Sequence, residues 1–380
     1  MGLRSRRQFR FESDTPEFVG NLNTLAGTSI ETAPHDDTVA GYLERLPVEE
    51  CERLPGMIVD RLVRMKALDG WRLYGKFLIA IDGTGQLVFH KRHCPRCLTR
   101  KAANGETIYY HHVLEAKLVT DNGFAFSIAT EFIENSDPKA TKQDCELKAF
   151  VRLADKLKAN FPRLPICLLA DSLYPCAPVF DVCKAKKWDF IFTFKSGAMP
   201  AVFAEFECLR DLAPDNRTDH SNGSVHQRFA WVNDLAAGGH RLNVFECRET
   251  TPKEEKYFAW ITNIKVGCAS IVTLANRGGR QRWKIENEGF NIQKNHGYEL
   301  EHAYSEHEHA AKNFYLLLQV AHAINQLMLK GSLLKDFKRN LGSIRNFLRR
   351  LAEAFRNCLI ATEFDNPLDL PPIQIRFDSS

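Results

Sequence analysis

The sequence predicts an α/β protein: a mixed sheet flanked by helices, with a small helical N-terminal domain and a β-rich insertion ahead of the last helices. Three observations carry this. The runs "KFLIAIDGTG" and "PICLLADSLY" are continuously apolar, as strands buried on both faces are. Ahead of the second run lies "KQDCELKAFVRLADKLKANF", with Leu147, Phe150, Val151, Ala154 and Leu157 on one helical stripe, which supplies a crossover. Later, "HQRFAWVND", "HRLNVFECRE" and "KYFAWITNI" alternate in the manner of strands.

Taken in order, residues 1 to about 35 are polar and read as a loosely ordered arm. "TVAGYLERLPVEECERLPGMIVDRLVRMKAL" has apolar residues at helical spacing, interrupted by Pro47 and Pro55, so two or three short helices are expected. These two stretches make a first domain over 1–72. From 73 to 197 come the first buried strand, then "TIYYHHVLEAKLVT" and "GFAFSIATEFI" joined by the hairpin signal "DNG". The amphipathic helix follows and is stopped by Pro162; "PICLLADSLY", a short helix over "PVFDVCKAKK" and the strand "DFIFTFK" complete a β-β-β-α-β-α-β order. The β-rich insertion spans 198–268 and further helices span 269–331. In the last of these, Phe314, Leu317, Leu318, Ala321, Ile324 and Met328 form the apolar face, and Gly331 ends it. A basic helix over about Ile344 to Leu359 and a tail make up 332–380.

Composition narrows the function classes. The chain has 380 residues, 44% hydrophobic and 26% charged, which is enough for a sizeable core and two or three structural units. A formal charge of +4 does not by itself point to nucleic acid. Local charge does more: Lys91, Arg92, Arg96, Arg100 and Lys101 occur without an acid among them, and residues 272–350 hold 13 Lys/Arg against 7 Asp/Glu. No run approaches the roughly 18 apolar residues that cross a bilayer, so no membrane role is expected. Eleven scattered cysteines read as reduced thiols, and a cytoplasmic location follows.

Two of the buried strands end in an aspartate, "FLIAID" at Asp82 and "ICLLAD" at Asp171. The carboxyl ends of strands in an open α/β sheet border a crevice, so both charges are expected to share one mouth; the alternative is that each caps a turn. Glu286, in "RWKIENEGFNIQK", joins them if its helix packs along that edge, with Trp283 and Phe290 burying the adjacent face. Otherwise it is half of an ordinary i,i+4 ion pair with Arg282. Three carboxylates converging in a cleft repel unless cations neutralise them. A pair of Mg²⁺ or Mn²⁺ ions does so, and that pairing suits in-line phosphodiester displacement.

The ordered set "IDGTG", "LLADSLY" and "RWKIENEGFNIQK" resembles a bacterial insertion-sequence transposase of the DDE type (IS-four-like group) over roughly residues 75 to 330. The resemblance implies an RNase H-like catalytic core and an enzyme that cuts element ends and joins their 3′-hydroxyls to target DNA. Asp82, Asp171 and Glu286 would be its catalytic, metal-binding acids. It also implies DNA as partner and at least a homodimer in the active complex, with the N-terminal helices recognising the ends. Spacings of 89 and 115 residues between the acids are similar to those of the group in which a β-rich insertion precedes the glutamate. That group carries Tyr-x2-Arg-x3-Glu-x6-Lys around the glutamate. This chain matches at Arg282 and Glu286 but has Gly279 in place of Tyr and Gln293 in place of Lys, with Lys294 one position on. The basic residues Arg280, Arg282, Lys284 and Lys294 are then expected on the DNA backbone. Trp260 is either a core strand residue or, as an aromatic in this region does in similar transposases, a stacking partner for an unpaired base.

"FHKRHCPRCL" holds His90, His93, Cys94 and Cys97, half of a structural Zn²⁺ motif, with His111 and His112 across the hairpin as further ligand types. A basic DNA-contacting loop with incidental thiols is the other reading. His302 and His309 read as solvent-facing helix residues. Two functions compete with an active transposase: a DNA-binding remnant that no longer cuts, and a zinc-dependent hydrolase built on the Cys/His cluster.

Overall fold

The structure, a computed structural model, describes residues 6–136, 142–302, 304–331 and 342–360. It is α/β, with helices flanking a mixed, mostly antiparallel sheet. The chain divides into two compact units, Leu68–Thr84 with His90–Glu288, and Met1–Ala67 with Gly85–Phe89 and Gly289–Ser380.

The first of these units is built on the sheet. Its strands are β1 (Phe77–Phe89, the end of which belongs to the other unit), β2 (Leu98–Lys101), β3 (Thr107–Val119), β4 (Ala125–Ile133), β5 (Ile166–Ala170), β6 (Asp189–Thr193), β7 (Arg217–Asn222), β8 (Val225–Ala237), β9 (His240–Thr250) and β10 (Glu255–Thr262). Their order is β2-β3-β1-β5-β6-β10-β9-β8-β7, with β4 paired to β3. The centre is parallel: β1 runs beside β5 and β5 beside β6. That is why "FLIAI" and "ICLLA" are apolar at every position, since each is buried on both faces. The "DNG" turn joins β3 and β4 as expected, with Gly123 in the left-handed region at φ 92°.

Three local expectations change. On the helix Glu146–Asn160 the buried stripe is Ala149, Phe150, Leu153, Ala154 and Leu157, whereas Val151 is exposed. Residues 198–268 open with a helix, Pro200–Leu212, and of their strands β10 pairs with β6 and extends the central sheet. The stretch from 269 is not one regular helix. A short α-helix, Cys268–Thr273, passes into a π-helical turn at Leu274–Gly278, a 3₁₀ turn at Gly279–Arg282 and a second π-helical stretch at Ile285–Asn291. The irregular winding breaks the seven-residue face assumed for Trp283 and Phe290: Phe290 is buried and Trp283 is 53% exposed.

The second unit is helical. The polar arm holds two helices, Arg6–Glu12 and Pro16–Ala26. The latter has a Thr15 cap, Pro16 in its first turn and left-handed Gly27 past its end, three helix-boundary signals. Pro47 separates Asp36–Arg45 from Val48–Arg64, but Pro55 lies inside the latter without ending it. Its buried stripe of Cys51, Pro55, Gly56, Val59 and Leu62 helps hold the helix together across the missing hydrogen bond. The long helix Glu308–Lys330 departs in part from the expected pattern. Its buried residues include Asn313, Gln319, His322, Asn325 and Gln326, while Ile324 is exposed. Their amide N–H groups find partners within the unit: Asn313 donates to the carbonyl oxygens of Leu43 and Leu46, both at 2.9 Å, although its own Oδ1 is buried without one. Gly331 is extended rather than left-handed. Leu318 and Met328 pack against Tyr298, Phe347 and Leu348, the last two from the helix Ile344–Asn357. Within 332–380, residues 332–341 and the tail from 361 lie outside the described residues. No helix among the described residues is long and apolar enough to cross a membrane.

Candidate functional site

β1 and β5 pair in parallel up to Ala80 opposite Leu169. Asp82 and Asp171 each stand two residues further on; Asp171 follows the last residue of β5, whereas β1 does not end at Asp82, as the glycines of "DGTG" suggested, but runs on to Phe89. Asp82 accepts a hydrogen bond from the backbone N–H of Gly83 at 2.9 Å, and Asp171 accepts one from Leu173 at 2.8 Å. Each carboxylate is therefore held by a backbone N–H of its own segment.

Glu286 reaches the same place through Arg282. The guanidinium lies 2.7 Å from Glu286 Oε1 and 3.8 Å from Asp82 Oδ2, so those two oxygens are at most about 6.5 Å apart. Glu286 is thus in an i,i+4 ion pair and beside an aspartate at once. Arg282, only 11% exposed, is held between the two acids instead of projecting into solvent. Burial pushes the Asp82 carboxyl up to about 7, opposed by Arg282 and reinforced by the charges of Glu286 and Asp171. One guanidinium thus leaves the three acids incompletely neutralised.

The three acids do not form a group whose ligand oxygens all lie within 4.8 Å of one another. A pair of divalent ions does not require that: with the ions about 4 Å apart and oxygens about 2.1 Å from each, the outer ligands are separated by up to about 8 Å. The spread of Asp82 and Glu286 fits this span, and the donors are all hard oxygens, as Mg²⁺ or Mn²⁺ prefers.

Beside the acids opens a cleft of about 910 Å³, lined by Asp171, Lys195, Lys256, Trp260, Arg282 and Lys284 among others. Trp260 is 3% exposed and stacked between Phe245 and Phe258, at centroid distances of 5.1 and 5.7 Å, so it is a core ring. The same ring explains Gly279: a Cβ there would stand 2.3 Å from Trp260 Nε1, leaving no space for a larger side chain. Arg280 is tied to Glu249 and lies over the Phe258 ring at 4.8 Å. Lys284 is 3.8 Å from Glu288. In the helical unit, Lys294 pairs with Glu301 at 2.9 Å, and the neighbouring Gln293 is fully buried, donating to Gln319 at 2.7 Å.

Three residues near the acids were not named as site residues from the sequence. The exposed Trp283 also lines the cleft. Glu146, the first residue of its helix, and His112 on β3 are 3.2 Å apart and close over Gly83: a Cβ at Gly83 would be 2.6 Å from Glu146 Oε1 and 2.4 Å from His112 Nε2. Only the glycine next to Asp82 permits that approach, a signal that emerges once the neighbours are known.

Of the Cys/His cluster, Cys94 and Cys97 come together with His111, all three ligand atoms lying within 4.8 Å of one another. His90 and His93 are not in that group. His302 and His309 are both exposed, as expected, but only His309 lies on a helix. Against known proteins, the chain matches no family model and no curated protein significantly.

Proposed function

We propose that this protein is a DDE-type DNA transposase with an RNase H-like core, which cuts element ends and joins their 3′-hydroxyls to target DNA. The observation that carries the reading is the meeting of Asp82, Asp171 and Glu286. Two acids stand two residues beyond the same register pair of neighbouring parallel strands, and the third is bridged to the first by Arg282. Parallel β1–β5–β6, with β3 beside β1, is the sheet order such a core requires at its centre.

The three carboxylates are the residues that would hold the divalent ions, which would supply Lewis-acid stabilisation of the scissile phosphate and a nucleophile of lowered pKa. Asp82, whose carboxyl burial raises to about 7, would bind such ions in its deprotonated form. Arg282, adjacent to two of the acids, adds positive charge where the phosphate must sit. Lys195, Lys256 and Lys284 give the cleft its attraction for the DNA backbone, and the exposed Trp283 offers a face to an unstacked base.

The competing reading is a DNA-binding remnant without cleavage, favoured by the ties of Arg282 and Arg280 to acids of the same chain. One experiment separates the two. The protein is incubated with labelled DNA carrying the repeats that flank its gene, with Mg²⁺ or Mn²⁺, and 3′-end nicking and strand joining are followed. Binding without nicking in either metal leaves only the remnant.

A further inference from the structure

The loop joining β1 to β2 carries a constellation that the acidic site does not use. Cys94 Sγ and Cys97 Sγ are 3.5 Å apart, and each lies against His111 Nε2, at 3.4 and 3.5 Å. With Zn–S about 2.3 Å and Zn–N about 2.0–2.1 Å, tetrahedral zinc requires S···S near about 3.8 Å and S···N near about 3.6 Å. All three edges agree with that to a few tenths of an ångström.

The backbone supports the same interpretation. β2 and β3 pair antiparallel from Leu98 opposite Tyr110, so Cys97 and His111 are the next facing pair outward. The turn "CPRC" brings Cys94 back over them, its carbonyl oxygen accepting from the N–H of Cys97 at 3.4 Å. The N–H of Cys94 in turn donates to the Cys97 sulfur at 3.4 Å. Cys97 is buried, whereas Cys94 and His111 are partly exposed, so the metal has an entry path.

We infer that Cys94, Cys97 and His111 form a structural zinc site, with a fourth ligand exchangeable with solvent, that pins the loop holding Lys91, Arg92 and Arg96 to the edge of the sheet. The site stands independently of the transposase reading, because it shares no residue with the acids.

The test uses the full-length protein purified without chelator. Elemental analysis gives one zinc per chain, and Co²⁺ exchanged into the site gives a thiolate-to-metal charge-transfer band. Cys94→Ser and His111→Gln each weaken zinc binding by at least about 10-fold, while Asp82→Asn retains the full zinc content. Should the cysteine variants fail to fold, titration of the wild type with an organomercurial releases its zinc to a chromogenic chelator. Chelation then speeds tryptic cleavage between Lys91 and Arg100. Wild-type protein that binds neither Zn²⁺ nor Co²⁺ in stoichiometric amount, or Cys94→Ser that keeps its metal, overturns the site.

Discussion

Asp82 and Asp171 are each displaced by two residues from the same register pair, Ala80 and Leu169, on neighbouring parallel strands. Adjacent strands lie about 4.8 Å apart, so the 89-residue separation in sequence becomes one strand spacing in space. A single substitution at either position removes a carboxylate without disturbing the apolar runs that hold the strands. Asp82→Asn, Asp171→Asn and Glu286→Gln are therefore each expected to lower divalent-ion-dependent strand cleavage by at least ~100-fold, about 3 kcal/mol of barrier. DNA binding stays within about two-fold of wild type. Nicking assays and gel shifts on the same preparations check it, and a variant that still cuts removes its residue from the site.

The raised carboxyl of Asp82 gives a pH dependence of known sign. Its folded-state value of about 7 lies above the ordinary 3.8, so between these two pH values the native state binds the extra proton. Stability in chelator therefore falls as pH rises from about 4 through 7, the reverse of a salt-bridged aspartate. Asp82→Asn abolishes that slope and is expected to be the more stable protein at pH 8, by about 1 kcal/mol or more. Mg²⁺ should raise the wild-type melting temperature at pH 8 and do little at pH 5, where protons compete for the same oxygens. Thermal melts at the two pH values, with and without Mg²⁺, measure both effects.

How much of this was legible in the sequence differs by residue. Asp82 and Asp171 could be found because an uninterrupted apolar run fixes a buried strand and the charge that follows the run must leave the core, although β1, unlike β5, continues past its aspartate. The pairing of Arg282 with Glu286 followed from helical spacing, but its approach to Asp82 depends on how the segment after β10 returns to the sheet. Glu146 reads locally as an acid in a helix's first turn, and nothing near it in sequence announces His112 or Gly83. The core of Glu308–Lys330 was misplaced for a different reason. Apolarity alone puts Ile324 inside and Gln326 outside, whereas amides that find partners are buried at little cost.

Gln293 tests that last point. It is fully buried and donates to Gln319, with His322 Nδ1 at 3.0 Å, where the resembling group carries a lysine. Restoring the pattern with Gln293→Lys buries an ammonium beside an amide and an imidazole. The expected cost is about 3 kcal/mol in denaturant unfolding, against less than about 1 kcal/mol for the exposed Lys294→Gln. Equal effects would mean that the Gln293 side chain is not enclosed as described.

Gly279 departs from the group's pattern in the opposite sense, through lack of room. A Cβ at 279 meets the Trp260 ring at 2.3 Å, and that ring is confined by Phe245 and Phe258. Gly279→Ala is expected to destabilise by about 1–3 kcal/mol, with a red shift of tryptophan fluorescence as Trp260 moves. Gly279→Tyr should prevent folding. Wild-type stability in Gly279→Ala would show that the ring has space to yield.

Trp283 and Lys284 are adjacent in sequence yet should affect DNA binding in separable ways. The indole of Trp283 is more than half exposed beside the acids, and stacking on a base does not depend on counterion release. Trp283→Ala should therefore weaken single-stranded DNA binding by about 1–3 kcal/mol while the slope of log affinity against log salt is unchanged. Lys284 also lines the cleft, with Glu288 3.8 Å away, and contributes charge. Lys284→Ala should reduce that slope by about one, uniformly across sequences. Affinities measured at several salt concentrations for both variants distinguish the roles. If Trp283→Ala alters the slope, or Lys284→Ala leaves it untouched, the cleft is not where the DNA backbone runs.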